Sequence, residues 1–299
     1  MASSSDLLVL GATGQLGSDV VKVAHAKGLS VAQAERVDVT DGPAVLKLLD
    51  ATRPRMVVNA AAFHQVDKCE DDPAEAFRVN AVGALHVARA ARAVGARLAY
   101  VSTDYVFPGD KPTPAHGATD AAHAWTEADA PRPLNTYGAS KLAGEHETRV
   151  GHPDALVARV ASLFGVVGAR GKGGNFIETI LKKAREGGPL KVVNDQWMTP
   201  TYTMDAAGAI LDLLERDARG VVHVTNAGAV TWHGFASRAV ALAGLKVEVQ
   251  PIDHTAFPSK AERPANSALH NAGLARALGH PLRPWPDALA AYLKEKGHI

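Results

Sequence analysis

The sequence predicts an α/β protein with a doubly wound parallel sheet and a smaller, discontinuous C-terminal lobe. An apolar run, Leu7–Leu10, leads into a glycine-rich turn that is followed by a helical pattern. Strand and helix patterns then alternate as far as Val160, as in parallel sheets joined by right-handed helical crossovers. The chain has 299 residues, of which 46% are hydrophobic, and can therefore bury a large core.

Composition excludes several classes of protein. The 32 Lys+Arg residues nearly balance the 31 Asp+Glu residues and form no basic block, so we expect neither nucleic acid nor a membrane as partner. Cys69 is the single cysteine, which fits a reducing cytoplasm, and the sequence shows no signal peptide or bilayer-spanning run. The 13 histidines show no metal-ligand spacing, and no serine lies in a G-x-S-x-G elbow. We expect a soluble cytoplasmic protein without a metal centre.

The glycine-rich turn, Gly11-Ala-Thr-Gly-Gln-Leu-Gly17, stands between the first predicted strand and a helix that runs to Gly28. Rossmann-type folds bind dinucleotides in this context. The glycines let the backbone approach a pyrophosphate, and the helix N-terminus stabilises its charge. The spacing is GxxGxxG rather than GxGxxG, and a turn without a ligand is the alternative interpretation.

A second strand is predicted over residues 29–34, and it ends at Glu35 and Arg36. An acidic side chain at this place can accept hydrogen bonds from the adenosine ribose, whereas an arginine can pair with a 2′-phosphate. Both NADH and NADPH are therefore open as cofactors. A solvated turn is the alternative interpretation of these two side chains.

The remaining elements of the first half follow the same alternation. Helices are predicted over residues 45–52, 73–94 and 137–150, and strands over 56–59, 98–103 and 155–160. The small side chains of Ala60, Ala61 and Ala62 let the chain pass close under a bound cofactor. Thr103 and Asp104 end a strand, and the carboxyl edge of such a sheet is where ligands bind.

The second half has a looser pattern. Helices are predicted over residues 175–186, 204–216, 232–243 and 285–296, and strands over 221–224 and 247–251. We expect a dinucleotide-binding domain over 1–165, completed by parts of 203–225, and a discontinuous substrate-binding lobe over 166–299. Residues 108–136 are predicted to form a long surface excursion.

Tyr137 and Lys141 lie four residues apart at the start of a predicted helix, so they share one face. An ammonium about 4 Å from a phenol, at an effective dielectric near 20, would lower the phenol's pKa by about three units. Such a phenol could protonate the oxygen of a ketone as hydride reaches the carbon. An exposed Tyr and Lys on a surface helix would give the same pattern.

Together these motifs resemble the extended short-chain dehydrogenase/reductases, and more narrowly the dTDP-4-dehydrorhamnose reductase family. The matching stretches run almost from end to end. They are Gly11-Ala-Thr-Gly-Gln-Leu-Gly17, Asn59-Ala-Ala-Ala62, Val66-Asp-Lys68, Ser102-Thr-Asp-Tyr-Val-Phe107, Pro133-Leu-Asn-Thr-Tyr-Gly138, Asn194-Asp-Gln196, Pro200-Thr-Tyr202 and Arg263-Pro264 with Asn266-Ser267.

The resemblance implies a reductase of a 4-keto-6-deoxysugar nucleotide that uses NADPH or NADH. Tyr137 would donate the proton, Thr103 would hydrogen-bond the substrate carbonyl, and Lys141 would also hold the nicotinamide ribose. The implied pyrophosphate-binding residues are Gly11, Thr13, Gly14, Gln15, Leu16 and Gly17, with Asp38 and Val39 beside the adenine. The implied sugar-nucleotide residues are Val66, Val106, Asn175, Trp232 and Arg263. A homodimer is compatible with this resemblance.

Three departures from the family pattern are expected on the substrate side. Val160-Ala-Ser162 stands where the family has Thr-Ser-Trp, His64-Gln65 replaces smaller residues, and the excursion around 115–125 is longer. A sugar-nucleotide dehydratase or epimerase is one alternative, although dehydratases carry Asp-Glu after the threonine and Tyr105 follows Asp104 here. A non-catalytic subunit, like the one that regulates methionine adenosyltransferase, is the other.

Overall fold

The computed structural model describes residues 5–32, 37–113, 119–168 and 174–299. In these residues the strands are β1 (Leu7–Leu10), β2 (Met56–Asn59), β3 (Arg97–Thr103), β4 (Leu156–Val160), β5 (Leu163–Phe164), β6 (Leu190–Val193), β7 (Trp197–Met198), β8 (Thr201–Tyr202), β9 (Gly220–His223), β10 (Val230–Thr231) and β11 (Val249–Ile252).

The helices lie between these strands and after the last one. They are α1 (Gln15–Ala26), α2 (Gly42–Thr52), α3 (Val66–Asp71), α4 (Pro73–Phe77), α5 (Gly83–Ala93), α6 (Thr136–Gly151), α7 (Phe176–Glu186), α8 (Thr203–Glu215), α9 (Trp232–Leu242), α10 (Ala272–Leu278) and α11 (Trp285–Glu295). A 3₁₀ turn follows β3 at Asp104–Val106. No helix in the described part of the chain is long and apolar enough to cross a membrane.

A parallel sheet with the order β1-β2-β3-β4-β9 confirms the predicted α/β class. Leu7 pairs with Met56 of β2 on one side and with Val31 on the other. After β1 the chain first runs to one side of this strand, at Val31, and then crosses to the other side to form β2. This reversal opens a crevice at the carboxyl ends of the strands. The strand predicted over 29–34 is reduced, in the described residues, to the single bridge at Val31.

The sheet is buried on both faces, as expected for parallel strands that read as continuous apolar runs. On one face, Val20 of α1 and Ile210 of α8 belong to one apolar cluster with β1, β2 and β4. On the other face, Leu49 of α2 and Val87 of α5 complete a second cluster. These two helical layers hold the carboxyl edge of the sheet in place.

The helix predicted over 73–94 is interrupted by a π-helical turn, Arg78–Val82. Inside this turn the Asn80 amide accepts a hydrogen bond from the Phe63 N–H at 2.8 Å and donates to the Phe63 carbonyl oxygen at 3.0 Å and to Ser140 at 2.9 Å. Asn80 thus ties the loop after β2 to α6. Single π-helical turns inside helices often occur at functional sites, and this one lies behind the candidate site.

The C-terminal lobe is built from small two-stranded sheets, β5-β8, β7-β10 and β6-β11. An aromatic cluster around Phe164, Phe235 and Tyr292 packs the first two of these sheets against α7, α9 and α11, and a second apolar cluster packs β6-β11 against α7 and α9. Between them the chain returns to the main sheet through α8 and β9, where Ala158 of β4 pairs with Val222.

Candidate active site

A cavity of about 510 Å³ opens at the carboxyl edge of the sheet. One end is formed by the glycine turn from Gly14 to Gly17 and by Ala60 and Ala62 after β2. The middle is lined by Thr103, Tyr137 and Lys141, and the other end by residues of the C-terminal lobe. One continuous space therefore reaches from the predicted dinucleotide turn to the predicted catalytic group.

The glycine turn is closed so tightly that side chains are excluded from two of its positions. Gly11 has a φ of +81°, and a Cβ atom there would lie 2.8 Å from the backbone of both Ala60 and Ala61. A Cβ at Gly17 would lie 2.1 Å from the Gly11 carbonyl oxygen. Gly14 precedes α1, and no side chain caps this end of the helix. An uncapped helix N-terminus facing a cavity suits the pyrophosphate of a dinucleotide.

The first turn of α6 is held by its own cap and by two distant segments of the chain, and this places Tyr137. Asn135 caps the helix and donates from its amide to the Glu262 carbonyl oxygen at 2.8 Å. The Glu70 carboxylate of α3 accepts hydrogen bonds from the Thr136 N–H at 2.7 Å and from its hydroxyl at 2.8 Å. The position of the phenol is therefore determined by contacts that the local sequence does not contain.

Lys141 lies one turn further along α6 and is 2% exposed. Its Nζ atom donates to the Val101 carbonyl oxygen at 2.7 Å and lies 4.0 Å from the centre of the Tyr100 ring. Burial lowers the pKa of Lys141 to about 7, although the negative charge of Glu145 acts in the opposite direction. The ammonium and the neutral amine are thus close in free energy at neutral pH.

Burial raises the pKa of Tyr137 above its usual value, and the negative charge of Asp104 raises it further. A hydrogen bond with Thr103 acts against this rise. The predicted lowering of the phenol's pKa by Lys141 is therefore wrong for this structure. Loss of hydration raises the pKa of Tyr137 more than the nearby Lys141 lowers it. Burial also lowers the pKa of Lys141, so that this side chain is easier to deprotonate.

Thr103 lies between Tyr137 and a carboxyl group. Its hydroxyl donates to Asp104 Oδ1 at 2.9 Å and accepts from the Tyr105 N–H at 3.2 Å. Asp104 is 3% exposed, and burial raises the pKa of its carboxyl to about 6. The sequence places Asp104 at the carboxyl edge of the sheet but does not predict a perturbed carboxyl in contact with Thr103.

A buried ion pair supports α6 from behind. Arg159 of β4 donates to both Glu145 oxygens, at 2.8 and 2.7 Å, and Ser102 donates to the same carboxylate at 2.5 Å. Burial and the positive charge of Arg159 lower the pKa of His223 to about 3, so this imidazole is neutral. Paired and hydrogen-bonded, the buried charges tie the catalytic helix to the sheet.

The far end of the cavity is walled by aromatic rings. Phe176 makes an edge contact with Trp232, with 4.8 Å between ring centroids, and stacks with Phe235 at 6.1 Å. Val66 also lines the cavity. The sequence indicated Val66 and Trp232 but not the two phenylalanines, whose apolar helical pattern is equally typical of core residues.

Asn175 lines the cavity, but its amide is occupied by structural contacts. Its oxygen accepts from the Glu178 N–H at 3.0 Å, and its nitrogen donates to the Gly165 carbonyl oxygen at 3.0 Å and to the Tyr292 hydroxyl at 2.8 Å. Asn175 therefore shapes the wall with both of its amide hydrogens in structural contacts, and its role in binding the substrate stays a prediction.

Two residues predicted for the sugar-nucleotide pocket lie outside the cavity lining. Val106 is fully buried in an apolar cluster with Phe107 and Trp125. Arg263 lies 3.4 Å from the Asp67 carboxylate, with which it forms an ion pair. Arg263 also interacts with Tyr105, which does line the cavity. The place of Val106 and Arg263 in the sugar-nucleotide pocket therefore stays a prediction.

Of the two residues predicted beside the adenine, one is buried and the other is exposed. Val39 is buried in the apolar cluster under α2 and α5, where it packs against Gly83. Asp38 is exposed and accepts hydrogen bonds from the N–H and the hydroxyl of Thr40, both at 2.9 Å. Neither lines the cavity. Glu35 and Arg36 lie outside the described residues.

Two of the three departures from the family pattern lie on the cavity wall. His64 and Ser162 line it, and Ser162 has a φ of +42°, an uncommon conformation for a residue with a side chain. The excursion does not line it in its described residues. Its Trp125 stacks on Phe107 with 4.8 Å between ring centroids and donates to the Asn266 carbonyl oxygen at 2.8 Å. Trp125 is therefore packed against the core and away from the cavity lining.

The glycine turn at the crevice, together with a buried threonine, a buried lysine and a half-buried tyrosine on the adjacent elements, defines the class: an oxidoreductase of the extended short-chain dehydrogenase/reductase type. Over residues 5–297 the chain matches the family described as the RmlD substrate binding domain, and it belongs to this family.

Relatives of the chain cover nearly its whole length. A dTDP-4-dehydrorhamnose reductase of Mycobacterium tuberculosis is 38% identical over 98% of this chain and 94% of its own. The spore coat polysaccharide biosynthesis protein SpsK of Bacillus subtilis is 33% identical over 97% of both chains. The crystal structure of dTDP-4-dehydrorhamnose reductase from Bacillus anthracis in complex with NADP is 32% identical. It superposes with a TM-score of 0.88 over 98% of this chain and 99% of that one.

Proposed function

We propose that this protein is an NADPH-dependent reductase of a 4-keto-6-deoxysugar nucleotide, with dTDP-4-dehydrorhamnose as the expected substrate. The observation that carries the proposal is the convergence of Thr103, Tyr137 and Lys141 in one cavity with the glycine turn. The named reductases among the relatives support the same reaction. NADH remains the second cofactor to test.

The residues present fit a nicotinamide dinucleotide. The closed turn at Gly11 and Gly17 and the uncapped start of α1 would hold the pyrophosphate, with Gly14, Gln15 and Leu16 lining that end of the cavity. Bound there, the cofactor supplies the hydride. Lys141 of α6 would contact its ribose.

Tyr137 is the proposed proton donor. Because burial keeps the phenol protonated, it has a proton to give throughout the neutral range. Hydride transfer to a ketone produces an alkoxide, which is a stronger base than a phenolate, so proton transfer from Tyr137 is favourable. Lys141 then stabilises the phenolate that remains.

The C-terminal lobe is proposed to hold the sugar nucleotide. Residues 1–165, completed by parts of 203–225, would bind the dinucleotide, and 166–299 would bind the substrate against the wall of Phe176, Trp232 and Phe235. Aromatic rings pack well on the apolar faces of sugars and bases. We place the reaction in the cytoplasm, as the lone cysteine favours, and the homodimer stays a prediction.

Replacement of Tyr137 by phenylalanine tests the proposed function. Tyr137→Phe keeps the ring but removes the proton, and we expect kcat to fall by about 10²–10⁴. The assay follows oxidation of NADPH or NADH by the purified protein with dTDP-, UDP- and GDP-linked 4-keto sugars. Tyr202→Phe is the matched control, because it makes the same change outside the cavity lining.

The outcome separates the alternatives. A non-catalytic subunit predicts no turnover by the parent with any of these substrates. A dehydratase or epimerase predicts conversion of a sugar nucleotide without net consumption of reduced cofactor. Reduction by Tyr137→Phe at the parent rate would contradict the assignment of the proton donor.

A further inference from the structure

The hydroxyl of Thr103 has one hydrogen, and in this structure that hydrogen is already used. A hydroxyl offers one donor and two acceptor sites, whereas an ionised carboxylate only accepts. The Thr103 hydroxyl donates to Asp104 Oδ1 at 2.9 Å and accepts from the Tyr105 N–H at 3.2 Å. With Asp104 ionised, Thr103 has no hydrogen left for the carbonyl of a substrate.

We propose that Asp104 is a positioning residue that sets the direction of the Thr103 hydroxyl. As a carboxylate, Asp104 accepts the hydroxyl's hydrogen bond. As a carboxylic acid, it donates to Thr103 Oγ1, and the hydroxyl then turns its own hydrogen to the carbonyl oxygen. This inference rests on the proposed ketone reduction.

The hydrogen bonds around Thr103 balance in the protonated form once the Tyr137 hydroxyl turns from Thr103 to the substrate carbonyl. Its oxygen then accepts from Asp104 and from the Tyr105 N–H, which fills both acceptor sites. The carbonyl oxygen receives one hydrogen bond from Thr103 and one from Tyr137. In the ionised form only Tyr137 can donate to it, and fewer donors stabilise the negative charge that develops in the transition state.

Burial shifts Asp104 toward the protonated form, although hydrogen bonds from Thr103, Ser267 and the backbone N–H groups of Asp104 and Tyr105 lower its pKa. It is 3% exposed, and its Oδ2 atom has no hydrogen-bond donor among the described residues. A hydrogen bond from the Ser267 hydroxyl lowers the pKa of the carboxyl. In this structure, however, that hydroxyl donates to the Trp197 carbonyl oxygen at 3.3 Å. A bound substrate that excludes water would penalise the carboxylate further.

Protonation of Asp104 also favours proton transfer from Tyr137. The charge of Asp104 raises the pKa of Tyr137, so a neutral Asp104 makes the phenol a stronger acid. The other ionisable side chains that line this cavity are His64 from the loop after β2, Tyr105 from the 3₁₀ turn, and Lys141 from α6. Their titration must be separated from that of Asp104 by mutation.

The test is the pH dependence of kcat/KM in the parent and in Asp104→Asn, whose amide can donate permanently to Thr103. Asp104 carries a pKa near 6, raised from its ordinary value, so the active protonated form is lost as the pH rises. Between about pH 5.5 and about pH 8.5, we expect the parent to lose about tenfold per unit once Asp104 has ionised. Asp104→Asn should keep only the decline above about pH 7 that deprotonation of Lys141 causes, so the ratio of kcat/KM in the parent to that in Asp104→Asn should fall as Asp104 ionises. Equal declines in both proteins would overturn the proposal.

Two further measurements exclude a merely structural effect. The effect of Asp104→Asn should be smaller in a Thr103→Val background, and an undiminished effect would show that Asp104 does not act through Thr103. A ¹³C NMR titration of the parent needs neither turnover nor a folded variant, and an Asp104 carboxyl that titrates at its ordinary value would also overturn the proposal. Absence of turnover in the parent would instead count against the reductase function.

Discussion

Lys141 and Tyr137 lie one helical turn apart, and burial shifts both of their pKa values toward the uncharged form. The same is true of Asp104 and His223, whose pKa values move to about 6 and about 3. A charged group loses its hydration when it is buried, and few of these groups have an oppositely charged partner that compensates for this loss. The cavity therefore carries little net charge of its own, and the charges of a bound dinucleotide will decide its ionisation.

At the residue scale, we predict that NADPH binding takes up a proton at Lys141. Burial holds the pKa of this amine at about 7, so a large part of it is neutral just above that pH. The negative phosphates of the cofactor favour the ammonium and raise its pKa. Isothermal titration calorimetry in buffers of different ionisation enthalpy measures this uptake. Lys141→Met should abolish the buffer dependence, and a dependence unchanged in that variant would place the proton elsewhere.

At the element scale, the glycine turn and α1 form one unit in which the glycines have different roles. The space for a Cβ at Gly17 is occupied by the Gly11 carbonyl oxygen, 2.1 Å away, and this oxygen is backbone. A Cβ at Gly14 would meet only the same oxygen at 3.3 Å. The glycine at 17 is therefore required for the turn itself, whereas the one at 14 keeps a side chain out of the cavity.

The two glycines should respond differently to alanine. Gly17→Ala must open the turn, and we expect it to lower the free energy of unfolding by about 1–3 kcal/mol. Gly14→Ala should lower it by less than about 1 kcal/mol but weaken NADPH binding, since the methyl group enters the cavity. Urea unfolding and cofactor titration of both variants check this. A Gly14→Ala variant as unstable as Gly17→Ala would contradict the assignment.

The predictability of an element depended on its length and on its partners. The apolar runs of β1 and β2 were predicted with their observed ends, because strands buried on both faces are continuous in sequence. The six residues of α3 and the seven of α10 were missed, because one or two helical turns show no clear period. The π-helical turn at Arg78–Val82 depends on contacts of Asn80 with distant segments.

At the scale of the whole molecule, the pair of Glu145 and Arg159 connects the catalytic helix to the sheet. Both side chains are nearly inaccessible, 5% and 4% exposed, and Arg159 holds the carboxylate with two hydrogen bonds. Ser102 of β3 and His223 of β9 lie at the two ends of this network. Strands that are far apart in the chain are thereby linked to the helix that carries Tyr137 and Lys141.

Removing one partner of this pair should destabilise the protein more than removing both. Glu145→Gln leaves the Arg159 charge buried without its counter-ion, and we expect a loss of about 3–5 kcal/mol in the free energy of unfolding. The double variant Glu145→Leu/Arg159→Met removes both charges and should lose less. Urea unfolding at neutral pH measures both. A double variant less stable than Glu145→Gln would show that the ion pair itself stabilises the fold.

The sequence by itself determined the α/β class, the glycine turn and the pairing of Tyr137 with Lys141. These features are local: an apolar run, a glycine spacing and a four-residue separation on one helix are all written in consecutive residues. The positions of Thr103 and Trp232 on the cavity wall agree with the residues that the family resemblance implied.

Only the tertiary structure decided which side chains face the cavity and how they ionise. Val106 is packed into the core, Phe176 lines the aromatic wall, and Asp104 lies buried against Thr103. Each outcome depends on burial and on hydrogen-bond partners that come from distant parts of the chain. Because desolvation acts on the whole surroundings of a group, the pKa of Tyr137 follows its burial more than the lysine beside it in sequence.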